Sequence, residues 1–236
     1  MSIIAIITAR GGSKRIPKKN IRDFCGKPII AYSIQAALDS NIFDEVMVST
    51  DSEEIADVAK KYGAKVPFMR SEKTSDDFAT TQDVLEEVIA EYSKMGREFE
   101  YFACLYPTAP FITAKKLQDA YNVFTKENAH QLTSVVKFSF PPQRAFVIRD
   151  GYLKYQYPEY ASARSQDLEP IYHDSGQFYF YETKAFKNKT GINCEKTIAY
   201  ILKETEVQDI DTIEDWIIAE EKMSRILIDS NVVNSK

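Results

Sequence analysis

The sequence predicts an α/β protein built on a mostly parallel, helix-covered sheet, and three observations carry that expectation. Short apolar runs recur along the first half, at Ile3–Ile7 and Tyr101–Tyr106, with a second strand, Glu45–Thr50, between them. Each apolar run is too short for a helix and too continuous for a strand with one wet face, as strands buried on both faces are. Segments of helical period separate the runs, the alternation that gives a parallel sheet. The length, 236 residues, suits one such domain with a small appended lobe.

The first strand, Ile3–Ile7, enters the stretch Thr8 to Ile21, TARGGSKRIPKKNI. Gly11 and Gly12 stand where backbone turns sharply or approaches a ligand closely. Arg10, Lys14, Arg15, Lys18 and Lys19 place five cations within a few residues of the strand end. Backbone N–H groups of a glycine turn, reinforced by Arg and Lys, read as a cradle for a polyphosphate. A solvated basic loop after a strand is the plainer reading of the same residues. The pattern is neither a Walker A loop, since Gly26-Lys27 is followed by Pro28, nor a G-x-G-x-x-G fingerprint.

Lys27-Pro28 is expected to open a helix, with Pro in the first turn and Ile30, Ile34, Ala37 and Leu38 on one face. The strand Glu45–Thr50 ends at Asp51, a candidate cap for the helix that begins Ser52-Glu53-Glu54-Ile55 and stops at Gly63. Val66 to Met69 is expected to be a short third strand. Arg70 to Thr81, RSEKTSDDFATT, is polar and turn-rich and precedes a helix from about Gln82 to Met95. Tyr101–Tyr106, almost wholly apolar, reads as a central strand, stopped by Pro107-Thr108-Ala109-Pro110 at the end where α/β sheets bind ligands. A helix from Ala114 to Lys126 and a strand from Leu132 to Phe138 follow.

After Phe138 the rhythm changes. Arg144–Ile148 and Tyr152–Tyr155 flank Asp150-Gly151 as an antiparallel hairpin, and Ser139 to Pro170 reads as a small lobe projecting from the sheet. Its Tyr, Phe and Arg content suits a substrate cleft or a contact between subunits. Gln177–Tyr181 and Thr197–Leu202 return to strand, Asp211 to about Ile226 forms the closing helix, and residues 229–236 are expected to fray.

A net charge of −5 leaves no basic surplus for a nucleic acid, so the cations of the first loop suit a small anionic ligand. Three widely spaced cysteines, Cys25, Cys104 and Cys194, form no C-x-x-C and suit a reducing compartment without disulfides. No stretch is apolar enough to span a bilayer, and the N-terminal run lacks the form of a signal peptide; the expected location is the cytoplasm.

Two further clusters can carry chemistry. Asp209-Ile210-Asp211 places two carboxylates on one side of extended backbone, where they repel unless a cation such as Mg²⁺ lies between them. Asp211-Thr212-Ile213-Glu214 also resembles a capping box with Asp211 as cap, whereas Asp209 has no such structural duty. Arg164-Ser165-Gln166-Asp167 and Tyr172-His173-Asp174-Ser175-Gly176-Gln177 crowd hydrogen-bonding groups into one region. Arg164 suits a carboxylate-bearing substrate. His173 is read as a hydrogen-bonding residue in preference to a general base.

With ARGGSKRIPKKN, LYPTAP and VQDIDTIEDW in view, the chain resembles the acylneuraminate cytidylyltransferases from Ile3 to about Met223. PPQRAF and RSQDLEPIYHDSGQFYF resemble the branch of that family acting on pseudaminic acid. Where sialic acid enzymes typically carry Gln and Arg, this chain has Tyr106 and Ile112. The resemblance implies a three-layer αβα, Rossmann-like sheet of the nucleotide-diphospho-sugar transferase type with a small β-rich dimerisation lobe. It implies transfer of CMP from CTP to a nine-carbon 2-keto acid sugar, with legionaminic acid, N-acetylneuraminic acid or Kdo as alternative acceptors. Arg10, Ser13, Lys14 and Lys19 would hold the triphosphate beside Gly11, with Asn20 close to the nucleotide. Arg70, Ala79 and Thr81 would line the cytidine site, and Asp209 and Asp211 would hold Mg²⁺. Arg164 would bind the sugar carboxylate, with Gln166, Tyr172, His173 and Gln177 shaping the sugar pocket. The resemblance also implies a homodimer in which the lobe reaches the partner subunit.

Overall fold

The computed structural model describes residues 1–188 and 196–234. In chain order the elements are β1 (Ile3–Thr8), β2 (Asp23–Phe24), β3 (Lys27–Pro28), α1 (Ile30–Ser40), β4 (Glu45–Ser49), α2 (Glu53–Lys61), α3 (Thr81–Lys94) and β5 (Tyr101–Leu105). They continue with α4 (Ala114–Lys126), β6 (Gln131–Lys137), β7 (Phe146–Arg149), β8 (Tyr152–Tyr155), β9 (Tyr172–Glu182), α5 (Thr183–Asn188), β10 (Thr197–Leu202) and α6 (Ile213–Asn234).

Six strands form the central sheet in the order β10-β6-β9-β5-β1-β4. β1 pairs in parallel with both β4 and β5, and β10 with β6, while β9 runs antiparallel to β5 and β6. The expectation of a mostly parallel, helix-covered α/β sheet is therefore met, with one strand reversed. β1 shows why its run is continuously apolar. Ile3, Ala5 and Ile7 face a core with Ile30, Ile55 and Leu117 from α1, α2 and α4, while Ile4 and Ile6 face Leu85, Val88 and Tyr92 from α3. Helices on both faces make the three layers.

A third cluster positions the site. Ile16 from the loop after β1, Phe24, Phe111, Ile210 and Trp216 are all buried together. Ile16 thus anchors the basic loop to the segment that carries the two aspartates, although the two lie almost a whole chain apart in sequence.

Several boundaries differ from the sequence expectation. Lys27-Pro28 does not open a helix; it pairs with Asp23-Phe24 as a short ribbon, and α1 begins at Ile30. Pro at the outer position of so short a pair forfeits no ladder bond that a longer strand would need. Val66 to Met69 is not a strand. Only Lys65 bridges Met47, because Pro67 cannot donate to a ladder. The closing helix runs on to Asn234, so residues 229–234 are helical backbone where fraying was expected; residues 235–236 lie outside the described residues. A helix propagates through its own backbone bonds even where no apolar face guides it.

The hairpin β7–β8 turns through Asp150 (φ 55°) and Gly151 (φ 78°), the paired left-handed residues of a tight hairpin turn. It forms its own two-stranded sheet apart from the central one. Cys25 and Cys104 are free thiols, and Cys194 lies outside the described residues. Among the described residues no helix is long and apolar enough to cross a membrane.

Candidate active site

The loops that follow β1 and β4 and the one that precedes α3 converge at the carboxyl ends of the parallel strands. Thr8, Arg10, Arg70, Ala79, Thr81 and Tyr106 contribute to a cavity of about 290 Å³ between them. The sequence-predicted residues Arg10, Arg70, Ala79 and Thr81 are thus brought together.

The loop after β1 is held by side chains. Asn20 is buried, and its Nδ2 donates to the Arg10 carbonyl at 2.9 Å. The Ser13 N–H donates to the Gly11 carbonyl at 2.9 Å, closing the glycine turn. Gly11 itself packs so closely on Ser52 that a Cβ there would lie 3.1 Å from the Ser52 Cβ. Its N–H donates to Asp51 Oδ1 at 2.7 Å. Asp51 is therefore not the cap of α2; Ser52 is, accepting from Ile55 N–H at 3.4 Å.

The cations of the cradle are also matched to carboxylates. Arg10 Nη1 donates to Asp77 Oδ1 at 3.1 Å and to the Asp76 carbonyl at 3.0 Å, and Lys14 pairs with the other Asp77 oxygen. Asp76 stiffens this turn by accepting from the N–H groups of Phe78 and Ala79 at 2.9 and 2.7 Å. Lys19 Nζ donates to the Ile210 carbonyl at 2.7 Å and lies 3.5 Å from Asp211 Oδ1, which also pairs with Arg15 at 2.9 Å. Lys18 turns away to Glu54 at 2.7 Å.

Arg70 lies beneath the cavity, 8% exposed, with Nε and Nη2 donating to the Ser49 hydroxyl and carbonyl at 3.0 and 2.6 Å. Burial pulls its pKa down to about 10, and the charge of Asp51 works against that fall. It stays a cation at neutral pH. Thr81 opens α3, whose cap is Thr80 in a reciprocal box with Asp83, so the free N-terminal end of the helix faces the same cavity.

Asp209 and Asp211 flank Ile210, whose side chain is in the core. Crowding by protein raises the Asp209 pKa, and the charge of Asp211 raises it further. The expected capping duty of Asp211 is not observed. Thr212 and Asp215 form the box instead, with Thr212 N–H donating to Asp215 Oδ2 at 2.8 Å and Asp215 N–H to Thr212 Oγ1 at 3.2 Å. Neither aspartate caps α6, and Asp211 instead faces Arg15 and Lys19. Two carboxylates in mutual repulsion fit a divalent cation. No group of three or more His, Cys, Asp or Glu that could hold a metal ion gathers there among the described residues.

The predicted sugar residues are not gathered in the same way. Arg164 is exposed and pairs with Asp167 at 2.6 Å, and Gln166 is exposed beside it. Tyr172 and His173 lie on the exposed end of β9, where the His173 ring packs on Phe138 and its Nδ1 meets the Asp174 carbonyl at 2.9 Å. Gln177 is buried, with its carbonyl accepting from Tyr106 N–H at 2.9 Å and its Nε2 without a partner among the described residues. Among the described residues, no hydrogen bond or ion pair joins Arg164 or Gln166 to the nucleotide cavity.

Sequence reasoning gave Asp77 and Tyr106 no place in the site, and named Arg15 and Asp174 only as members of the basic loop and of the polar cluster at Tyr172–Gln177. Tyr106 was legible as a departure from a family pattern. The Asp77 pair was not, because it joins two loops that only the fold brings together.

With this geometry in place, comparison with known proteins identifies the chain as a member of the cytidylyltransferase family, whose profile matches residues 4–230. It is 44% identical to the pseudaminic acid cytidylyltransferase of Campylobacter jejuni subsp. jejuni (serotype O:2) over 216 residues, covering 91% of this chain and 93% of that one. It is 36% identical to the CMP-N,N'-diacetyllegionaminic acid synthase of Legionella pneumophila over 232 residues, covering 94% and 97%. Among solved structures, CMP:2-keto-3-deoxy-manno-octonic acid synthetase complexed with CTP shares the fold, with a TM-score of 0.70 at 19% identity over 95% of this chain and 99% of that one. The family is one of nucleotidyltransferases, and the predicted enzyme class is thereby met.

Proposed function

We propose that the enzyme transfers CMP from CTP to the anomeric 2-hydroxyl of pseudaminic acid, giving CMP-pseudaminic acid and pyrophosphate. The observation that carries the reading is the 44% identity to a pseudaminic acid cytidylyltransferase, which spans almost the whole of both chains. The site supports it: a cradle of Arg10, Lys14 and Lys19 beside a cavity lined by Arg70, Ala79 and Thr81 suits a triphosphate on a nucleoside. In the reaction the hydroxyl oxygen bonds to the α-phosphorus as the bond to the β-phosphate bridge breaks. Pyrophosphate leaves with that electron pair, and the hydroxyl proton is lost to water. Positioning and charge neutralisation account for most of the catalysis.

Because Arg10 and Lys14 are paired with Asp77, and Arg15 and Lys19 with Asp211, the triphosphate takes over cations that the chain holds in place with its own carboxylates. Asp209 and Asp211 would hold Mg²⁺, which supplies charge neutralisation on the phosphates and a lower pKa for a bound hydroxyl. Lys19, tied to the Ile210 carbonyl, keeps a positive charge beside that pair.

The lobe is read as the contact of a homodimer. Phe140, Phe146, Ile148, Tyr152 and Leu153 are each between 51% and 87% exposed, and a lone two-stranded hairpin is marginal in water. A second copy covering it would also carry Arg164 and Gln166 to a neighbouring site.

The test is pyrophosphate release with CTP and Mg²⁺ and one acid at a time: pseudaminic, diacetyllegionaminic, N-acetylneuraminic or Kdo. Release with pseudaminic acid alone is expected, and chelation of the metal should abolish it. Release only with the legionaminic derivative would move the reading to the second relative's substrate.

A further inference from the structure

β9 contains an irregularity that the reaction as described does not use. Against β6, Tyr179 sits opposite Thr133 and Asp174 opposite Val135, so five steps along β9 span two along its partner. In extended backbone, residues five apart point to opposite faces and lie roughly 16 Å apart. Here the surplus is folded into a bulge through Gly176 at φ 61°. Ser175 Oγ lies 2.7 Å from Ser134 Oγ and donates to the Ser134 carbonyl at 2.9 Å, and Phe178 N–H donates to Ser134 Oγ at 3.1 Å. The bulge brings Asp174 onto Tyr179, whose hydroxyl donates to Asp174 Oδ1 at 2.6 Å, while Gly176 N–H donates to the same oxygen at 2.8 Å. Bulges that re-aim one side chain are features of sites.

Asp174 is aimed at a second cavity, of about 200 Å³, which shares Thr81 and Tyr106 with the nucleotide cavity. Tyr106 joins the two: its hydroxyl lies 3.3 Å from Thr81 Oγ1, and its ring packs 5.5 Å from that of Tyr179. Leu85 and Phe186 supply apolar wall to this cavity, alongside the polar Gln82, Gln131 and Thr133. Among the described residues Asp174 has no cationic partner. An ionised carboxylate only accepts hydrogen bonds, and with Oδ1 occupied by two donors, Oδ2 is the acceptor left for a ligand. The complement of an acceptor beside apolar wall is an N–H next to a methyl group, the chemistry of an acylamino substituent.

We propose that Asp174 is a specificity-determining residue that accepts the N–H of an acylamino group on the acceptor sugar, within the cavity behind Tyr106. The proposal rests on the sugar-nucleotide reading given above and says which group of the sugar this strand selects.

The experiment compares kcat/KM for the amide-bearing acid with that for its isosteric ester analogue, in which oxygen replaces the amide N–H. Wild-type enzyme, Asp174→Asn and Asp174→Ala are assayed at saturating CTP, and the KM for CTP is measured alongside. Asp174 is exposed on β9, so wild type should favour the amide by about five-fold, the scale of one hydrogen bond to a partly solvated acceptor. Asp174→Asn keeps the size and an oxygen for Tyr179 and Gly176, so the bulge survives. It should erase the preference to within about two-fold, raising KM for the sugar and leaving KM for CTP unchanged. Asp174→Ala should do the same if its melting curve stays cooperative. Equal amide preference in wild type and Asp174→Asn would overturn the proposal while leaving the reaction intact. A wild-type enzyme that turns over none of the acids would overturn the reaction, and the proposal with it.

Discussion

The two halves of the cleft are built on different principles. The residues proposed for the nucleotide are held within one chain: Ile16 and Ile210 share a core, Arg70 is buried on Ser49, and the cations of the cradle stand against carboxylates. The residues proposed for the sugar are scattered, with Asp174 and Tyr179 on a bulge, Gln177 buried and Arg164 and Gln166 exposed on the lobe. The difference teaches that the residues proposed for the nucleotide are already held in place within one chain, whereas those proposed for the sugar depend on the proposed second copy to gather them.

That contrast breaks most visibly at the aspartate pair. Asp211→Ala should lower kcat by about a hundred-fold or more, the scale for removing a charged group that acts in the transition state. It leaves α6 intact, because Thr212 and Asp215 provide the cap. Single-turnover pyrophosphate release and a melting curve test both points; wild-type turnover would remove the metal-binding role from this pair. A smaller loss is expected on the other side of the comparison. Tyr152→Glu combined with Leu153→Glu changes two exposed positions, which a free surface would tolerate. Light scattering should show the mass halved, with kcat/KM for the sugar down about ten-fold and the Kd for CTP within about two-fold. A wild type that is already monomeric would leave the lobe without its proposed occupant.

Much of the nucleotide half was legible in the sequence because each piece sits at the end of a strongly patterned element. The Ile3–Ile7 run, the glycines and the cations share one stretch; in the lobe, outside that half, the Asp150-Gly151 turn fixes its hairpin by backbone chemistry alone. What was not legible depends on pairing partners. The reversal of β9 leaves no trace in Gln177–Tyr181, since a strand buried on both faces reads alike in either direction. Lys27-Pro28 fits a first helical turn as well as a two-residue ribbon, and only its pairing with Asp23 decides. The same holds for the caps: Asp51 and Asp211 were candidates by local pattern, yet neighbouring Ser52 and Thr212 do the capping.

A finer test concerns the carboxylates that stand against the cradle. Asp77→Asn removes the anion shared by Arg10 and Lys14, so CTP no longer has to displace it. These pairs are exposed, and the expected gain is correspondingly modest, about three-fold in Kd at low salt and less at high salt. Calorimetric titration of CTP measures it. Weaker binding by the variant would instead mean that Asp77 serves to hold Arg10 in position for the phosphates.

The smallest effect expected is on stability, and its sign separates a site kept for function from one kept for folding. Asp209 has a raised pKa, because burial and Asp211 both disfavour its ionised form. The folded state therefore binds this proton more tightly than the unfolded state does. Stability from this group is present below the ordinary carboxylate pKa near 3.9 and is lost as pH rises through the folded value. At neutral pH the fold carries two repelling charges, and Asp209→Asn relieves them. The variant's Tm should exceed that of wild type by on the order of 1–2 °C at pH 7, and the difference should vanish in acid. Mg²⁺ with CTP should then raise the wild-type Tm more than the variant's, since only the intact pair gains a cation by binding. A variant that is less stable than wild type at pH 7 would make Asp209 a structural residue and reverse this ordering.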